Sequence, residues 1–224
     1  MLAVYAWGSI LTDDYVLGKS DIDTIAIVED SFPLEKEVPL FMEIREKYPE
    51  LGEFYIRFIY LSELNGGPAR APLATVIYPP LHLLEMPQWH FVAGKQFVSS
   101  DFSVKTPSIT EAIQTHLQKL RNDGWDAYDT IPNEYPAQMW FLKTLMRLVD
   151  VVQRERDDNK QLFSYHNLTA QTEKSGTQLE KDVIATMLTC RDSKWDPQVF
   201  ATHKQTFLDF IAFVKETHTS ESKK

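Results

Sequence analysis

The segment Ile22-Asp23-Thr24-Ile25-Ala26-Ile27-Val28 is almost continuously apolar and stops at Glu29-Asp30. A run of that length without polar alternation has no solvent-facing side, so it reads as a strand buried on both faces. Such a strand needs neighbours within the sheet and further elements packed against its faces. Leu2 to Trp7, closed by Gly8-Ser9, supplies the first neighbour, and Phe54 to Leu61 is the clearest third strand. Between the first two strands, Ser9 to Gly18 reads as a short turn or helical stretch. A helix is expected over Glu37 to Lys47, with its start near Pro39, because proline is tolerated in a first helical turn. Asn65-Gly66-Gly67-Pro68 marks a loop.

Beyond about residue 105 the texture changes from short β-branched and aromatic runs to long segments of helical period. Ser108-Ile109-Thr110-Glu111 fits a capping box that opens a helix to about Arg121. From Pro136, apolar residues at Met139, Leu142, Leu145, Met146, Val149 and Val152 mark one face of a long helix. A further helix is expected over Thr177 to Thr189, with Leu179, Val183, Met187 and Leu188 inward. Phe200, Phe207, Ile211 and Val214 are expected to line a last one. The fold class that follows is α+β: a small mixed-sheet domain over residues 1–105, a helical bundle over 106–218, and a polar tail over 219–224.

Composition narrows the function classes. The chain has 224 residues and a net charge of −9, which argues against stable binding to a phosphate backbone. An acidic balance suits a cationic small partner as well as plain solubility. No apolar run reaches the roughly 20 residues that span a bilayer. Cys190 is the one cysteine, so no intramolecular disulfide forms, and a reducing, cytoplasmic setting is expected. Cys190 itself reads as a small buried helix residue. The six histidines show no metal-ligand spacing, and there is no P-loop or nucleophile-elbow motif.

The chemistry-bearing stretch is Trp7-Gly8-Ser9 … Ser20-Asp21-Ile22-Asp23. A spacing of two on a strand puts the Asp21 and Asp23 carboxylates on the same face. Two adjacent carboxylates repel unless a cation lies between them, which favours a hard metal. Mg²⁺ typically takes one or two protein carboxylates and completes its shell with phosphate oxygens and water. Gly8-Ser9, where a strand gives way to a turn, offers close backbone approach, amides and a hydroxyl to phosphate oxygens.

Gly8-Ser9 … Ser20-Asp21-Ile22-Asp23 after a strand resembles the signature of the polymerase-β-like nucleotidyltransferase superfamily, and is most similar to its aminoglycoside nucleotidyltransferase type. The resemblance implies Asp21 and Asp23 as catalytic metal ligands and Gly8, Ser9 and Ser20 as nucleotide-binding residues. It implies Mg²⁺ as cofactor and ATP as substrate. Thr144-Leu145-Met146-Arg147 is similar to a segment of the family's helical domain, which makes Arg147 a candidate to reach the triphosphate.

The chain also departs from that pattern. The loop Ile10 to Ser20 is one residue longer than is usual for the type, and where the type usually has a helix before the first motif strand, the strand here begins at residue 2, so either the start is trimmed or another element covers that sheet face. Members that transfer to a hydroxyl usually carry a third carboxylate on the next core strand as general base. Here Tyr55 or Arg57 falls at that place, and the nearest acid is Glu53, just ahead of the strand. Glu53 is therefore the candidate base.

The expected activity is transfer of a nucleoside monophosphate, AMP by the resemblance, to a hydroxyl of a small acceptor such as an aminoglycoside. Two alternatives stand beside it. One is a protein-modifying (AMPylating) nucleotidyltransferase of the kind paired with toxins. The other is a binding protein that senses nucleotide without turnover, which the missing third acid favours.

Overall fold

The two-sided apolar run becomes an interior strand. The structure, a computed structural model, describes residues 1–12, 14–15, 20–33, 37–49, 54–68, 70, 83–122, 135–157, 163–193 and 196–219. Among the described residues, four strands form one sheet in the order β3-β2-β1-β4: β1 Ala3–Trp7, β2 Ile22–Val28, β3 Phe54–Tyr60 and β4 His90–Gly94. β1 runs antiparallel to both β2 and β4, whereas β2 and β3 are parallel. A parallel pair needs a crossover, and helix α1, Glu37–Lys47, lies in that connection. The sheet is mixed and the architecture α+β, as expected.

Both faces of β2 are covered. Ile25 and Ile27 pack with Ala3, Tyr5 and Ile59 on one side, while Ala26 and Val28 pack with Phe58 and Tyr60 on the other. The strand period of two divides these sets cleanly. On the second face Phe32 stacks on Phe58 with ring centroids 5.2 Å apart. On the first, Tyr5 fits against Trp89, and its hydroxyl accepts the Phe97 N–H at 2.7 Å. Burial raises the Tyr5 phenol above its ordinary pKa.

β4 lies outside the strands expected from sequence. It is an edge strand with four of five residues exposed, so it carries no apolar alternation to betray it. Gly94 ends it at φ +92, and a Cβ there would sit 2.2 Å from the Leu2 carbonyl oxygen. That close approach lets Lys95 N–H donate to Leu2 at 2.8 Å. A one-turn helix α2, Leu61–Leu64, follows β3 directly, with the Glu63 carboxylate accepting from the Tyr60 N–H at 2.9 Å.

The chain divides into two compact units, Met1–Pro107 with Gln161–His166, and Ser108–Lys160 with Asn167–Lys224. The described helices of the second are α3 Ile109–Asn122, α4 Tyr135–Asp157, α5 Tyr165–Ser175, α6 Gln178–Asp192, α7 Pro197–Thr202 and α8 Lys204–Thr219, with the first residues of α5 assigned to the first unit. The capping box at Ser108 forms: Glu111 accepts from the Ser108 N–H and hydroxyl at 2.7 and 2.9 Å. The single last helix expected from sequence is two, because Asp196 caps a new start at Pro197 and the chain turns at His203.

Within this unit Leu142, Leu145, Met146, Val149 and Val152 of α4 are buried as their spacing requires, while the Met139 side chain lies outside the described residues. On α6 the inward set shifts: Val183 and Met187 are joined by Ile184 and Cys190, and Leu179 and Leu188 are only half-buried. Burial pushes the Cys190 thiol up to about 11, which leaves it unreactive at neutral pH. Glu180, fully buried, closes a capping box with Thr177 and takes Arg156 of α4 at 3.1 Å. Phe141, Phe200 and Phe207 meet with centroids 5.6 to 5.9 Å apart, joining α4, α7 and α8. Phe207→Ala removes the ring common to two of these contacts and is expected to destabilise the helical unit by about 3–5 kcal/mol. Urea denaturation followed by far-ultraviolet circular dichroism measures this as a lower midpoint.

Candidate functional site

The site is built where β1 ends and β2 begins. The antiparallel register sets Trp7 opposite Asp23, so the turn that leaves β1 starts beside the first polar residue of β2. Gly8 takes φ +77, a left-handed conformation that side chains disfavour. A Cβ at Gly8 would lie 2.9 Å from Asp23 Oδ2 and 3.6 Å from Asp23 Cβ. The carboxylate therefore rests against the bare backbone of Gly8. Glycine is required here twice, for its dihedral and for the space.

From Gly8 the chain makes a short 3₁₀ turn to Leu11, and the Thr12 N–H and hydroxyl both donate to the Ser9 carbonyl, at 2.9 and 3.1 Å. Ser9 is half-buried within this turn. Ser20 and Asp21 are half-buried as well, and Asp21 stands one residue ahead of the first strand residue, Ile22. Asp23 lies on the strand proper, on the same face as Ile25 and Ile27 by parity. The structure thus brings Gly8 and Asp23 into contact, with Ser9 one residue after Gly8 and Asp21 two residues before Asp23.

Asp21 and Asp23 suit a hard divalent cation in chemistry: both are carboxylates, two apart, at the open end of a strand. Among the described residues no group of three or more His, Cys, Asp or Glu forms a metal cage. A pair of that kind fits Mg²⁺ that shares its shell with phosphate oxygens and water, rather than a fully protein-bound ion.

Glu53 lies outside the described residues. The strand it precedes is placed: β3 pairs Asp23 with Tyr55 and Ile25 with Arg57. Arg57 is half-buried, and its guanidinium carbon lies 5.3 Å from the centre of the Trp7 ring. Arg147 is half-buried on α4 of the second unit.

One contributor escaped the sequence reading. Asp14, in the loop between the two motifs, accepts the backbone N–H of Tyr165 through Oδ2 and that of His166 through Oδ1, the latter at 3.3 Å. It caps the start of α5 from a distance of some 150 residues along the chain. Gln88 adds a bond from its side-chain oxygen to the Phe163 N–H at 3.4 Å. These bonds place Phe163–His166 with the sheet unit and tether the loop that follows Ser9. No local signal announces such a cap, since donor and acceptor are far apart in sequence.

No protein-family model and no curated protein matches the sequence. Among solved structures the fold is similar to that of spectinomycin adenyltransferase AAD(9) from Enterococcus faecialis, crystallised with ATP and spectinomycin. The TM-score is 0.52 at 11% identity, covering 96% of this chain and 91% of that chain. The likeness is one of fold: a mixed sheet followed by helices, an α+β architecture.

Gly8→Ala is expected to lower stability by about 1–2 kcal/mol, the cost of holding a side chain in the left-handed region, and to displace the Asp23 carboxylate. A thermal melt of the variant beside the parent measures the loss.

Proposed function

We propose that this chain is a nucleotidyltransferase that moves a nucleoside monophosphate, AMP in the first instance, from a Mg²⁺-bound triphosphate to a hydroxyl of a small acceptor. The observation that carries the reading is the contact of Gly8 with the Asp23 carboxylate, fixed by the Trp7↔Asp23 register. It brings the two halves of the motif, Gly8-Ser9 and Asp23, together where β1 ends and β2 begins.

Asp21 and Asp23 hold the metal. Mg²⁺ held there would supply charge neutralisation at the phosphates and so favour attack on the α-phosphorus. The backbone of Gly8 and Ser9, with the Ser9 hydroxyl, receives the β- and γ-phosphates, and Ser20 shapes the approach to Asp21. Arg147 supplies positive charge toward the triphosphate. An acceptor hydroxyl oxygen forms a bond to the α-phosphorus as the bridging bond to the β-phosphate breaks, and pyrophosphate leaves. The hydroxyl proton passes to a base, for which Glu53 is the candidate. Apart from that proton transfer, the residues act by positioning and charge neutralisation. The net charge of −9 suits a cationic acceptor of aminoglycoside type, and ATP is the donor of choice because the structurally similar enzyme was solved with it.

A second reading, nucleotide binding without turnover, is favoured by Arg57, which brings positive charge to the strand beside Asp23. The two separate in one experiment. Incubation with ATP, Mg²⁺ and a panel of aminoglycosides, followed by mass spectrometry, is expected to show an acceptor heavier by one adenylyl group. Binding of Mg·ATP with no modified acceptor and no pyrophosphate supports the second reading instead.

Asp21→Asn with Asp23→Asn keeps shape and removes charge, so Mg·ATP affinity measured by calorimetry should collapse while the melting profile is retained. Unchanged affinity would remove both residues from the site. Glu53→Gln is expected to cut turnover by about 10²–10⁴ with nucleotide affinity preserved. Equal turnover in variant and parent would exclude Glu53 as the base.

A further inference from the structure

Arg57 interrupts an otherwise apolar and aromatic strand, Phe54-Tyr55-Ile56-Arg57-Phe58-Ile59-Tyr60. Its position in the sheet is defined by two registers. β3 pairs Arg57 with Ile25, which puts it on the face that carries Ile25 and Asp23. β1 pairs Trp7 with Asp23, on the other side of β2. With the guanidinium carbon 5.3 Å from the centre of the Trp7 ring, the side chain leaves β3 at the level of Ile25 and crosses over β2. Its charged end then stands at the level of Asp23. Diagonal neighbours on adjacent strands are within reach of a side chain this long.

The chemistry of that placement is specific. A planar guanidinium over an indole is held in orientation by cation–π attraction and stacking, and its N–H groups form a planar fork. That fork matches two partners equally well, a carboxylate and a phosphate, and both belong to this sheet edge. Asp21 and Asp23 need a counter-charge before any metal arrives. A triphosphate brings oxygens that need one afterwards.

Resting on the reading of Asp21 and Asp23 as a metal-triphosphate site, we propose that Arg57 is an exchangeable counter-ion. It balances Asp23 in the empty site and transfers its N–H fork to a phosphate oxygen when the Mg²⁺-bound nucleotide enters, pivoting on Trp7. Arg57 therefore competes with a metal that comes alone and cooperates with a metal that comes with nucleotide. Its removal acts with opposite sign on the two. A residue that merely supports the sheet would weaken both.

The experiment measures Mn²⁺ affinity without nucleotide by electron paramagnetic resonance, and ATP affinity at saturating Mg²⁺ by calorimetry. Arg57→Met keeps the length and the apolar stem. It is expected to bind Mn²⁺ about 3–10-fold more tightly than the parent, by loss of a competing charge at the partly exposed edge. Its affinity for ATP with Mg²⁺ is expected to fall by about 10–100-fold, the range for hydrogen bonds to charged groups. Arg57→Lys keeps the charge without the planar fork, so Mn²⁺ affinity should match the parent while ATP affinity falls by about tenfold. If Arg57→Met does not fold, this second variant decides alone. Arg57→Met binding both ligands as the parent does, or both more weakly, overturns the proposal and leaves the site assignment standing. A parent that binds neither Mn²⁺ nor Mg·ATP overturns the site assignment, and this proposal with it.

Discussion

The pairing of β1 with β2 sets everything that follows, and its register is fixed from the apolar end of the strands. Ile25 and Ile27 are fully buried against Ala3, Tyr5 and Ile59. A slip of one residue would turn both isoleucines out of that cluster and bring Ile22 or Thr24 opposite Trp7 in place of Asp23. The core residues thus determine where the acid falls, although none of them is polar. Gly8 completes the arrangement, because any larger residue would meet the carboxylate at 2.9 Å.

Much of this was legible in the chain because the signals are local. The limits of β2 and of α1 follow from apolar runs and from the residues that interrupt them, and the Ser108 box from a side-chain pattern that closes within four residues. What escaped has a common physical character. β4 lies at an edge with exposed side chains, so nothing in its pattern is forced by a core. α5 buries only Leu168 and Thr172 among its residues, too few to show a period, and its cap comes from Asp14. The division between α7 and α8 rests on a turn at His203 inside a continuous apolar pattern, which periodicity overlooks. At the site, Gly8 and Asp23 were readable from residue type and spacing. The reach of Arg57 across a strand to Trp7 was not, since it depends on strand order rather than on sequence distance.

A lone arginine in a strand of aromatic and aliphatic residues is a local contradiction, and contradictions of that kind collect where a protein does something other than fold. Placing the charge partly out of water has a desolvation cost. The Trp7 ring offsets part of it from one side. The sheet edge itself, with its acidic residues, is the environment in which a cation is least out of place. Tyr60 plays a related part elsewhere: Arg70 lies 4.2 Å from its ring centre and also reaches Asp30, at the opposite end of β2. At each end of the central strand an arginine thus lies against an aromatic ring.

The cap that Asp14 provides reaches beyond local geometry to the order in which the protein assembles. Residues 163–166 are made long after the sheet to which they belong, once α3 and α4 have been synthesised. A nascent chain that has finished its first 107 residues has the four described strands but lacks the partner that ties down the loop after Ser9. Contacts of this sequence separation raise contact order and delay the final step of folding until the chain is three-quarters complete. The sheet unit is therefore not a module that matures first and waits. The loop after Ser9 is tied down by residues 163–166 of the same unit, so that unit is completed only when about three-quarters of the chain has been made.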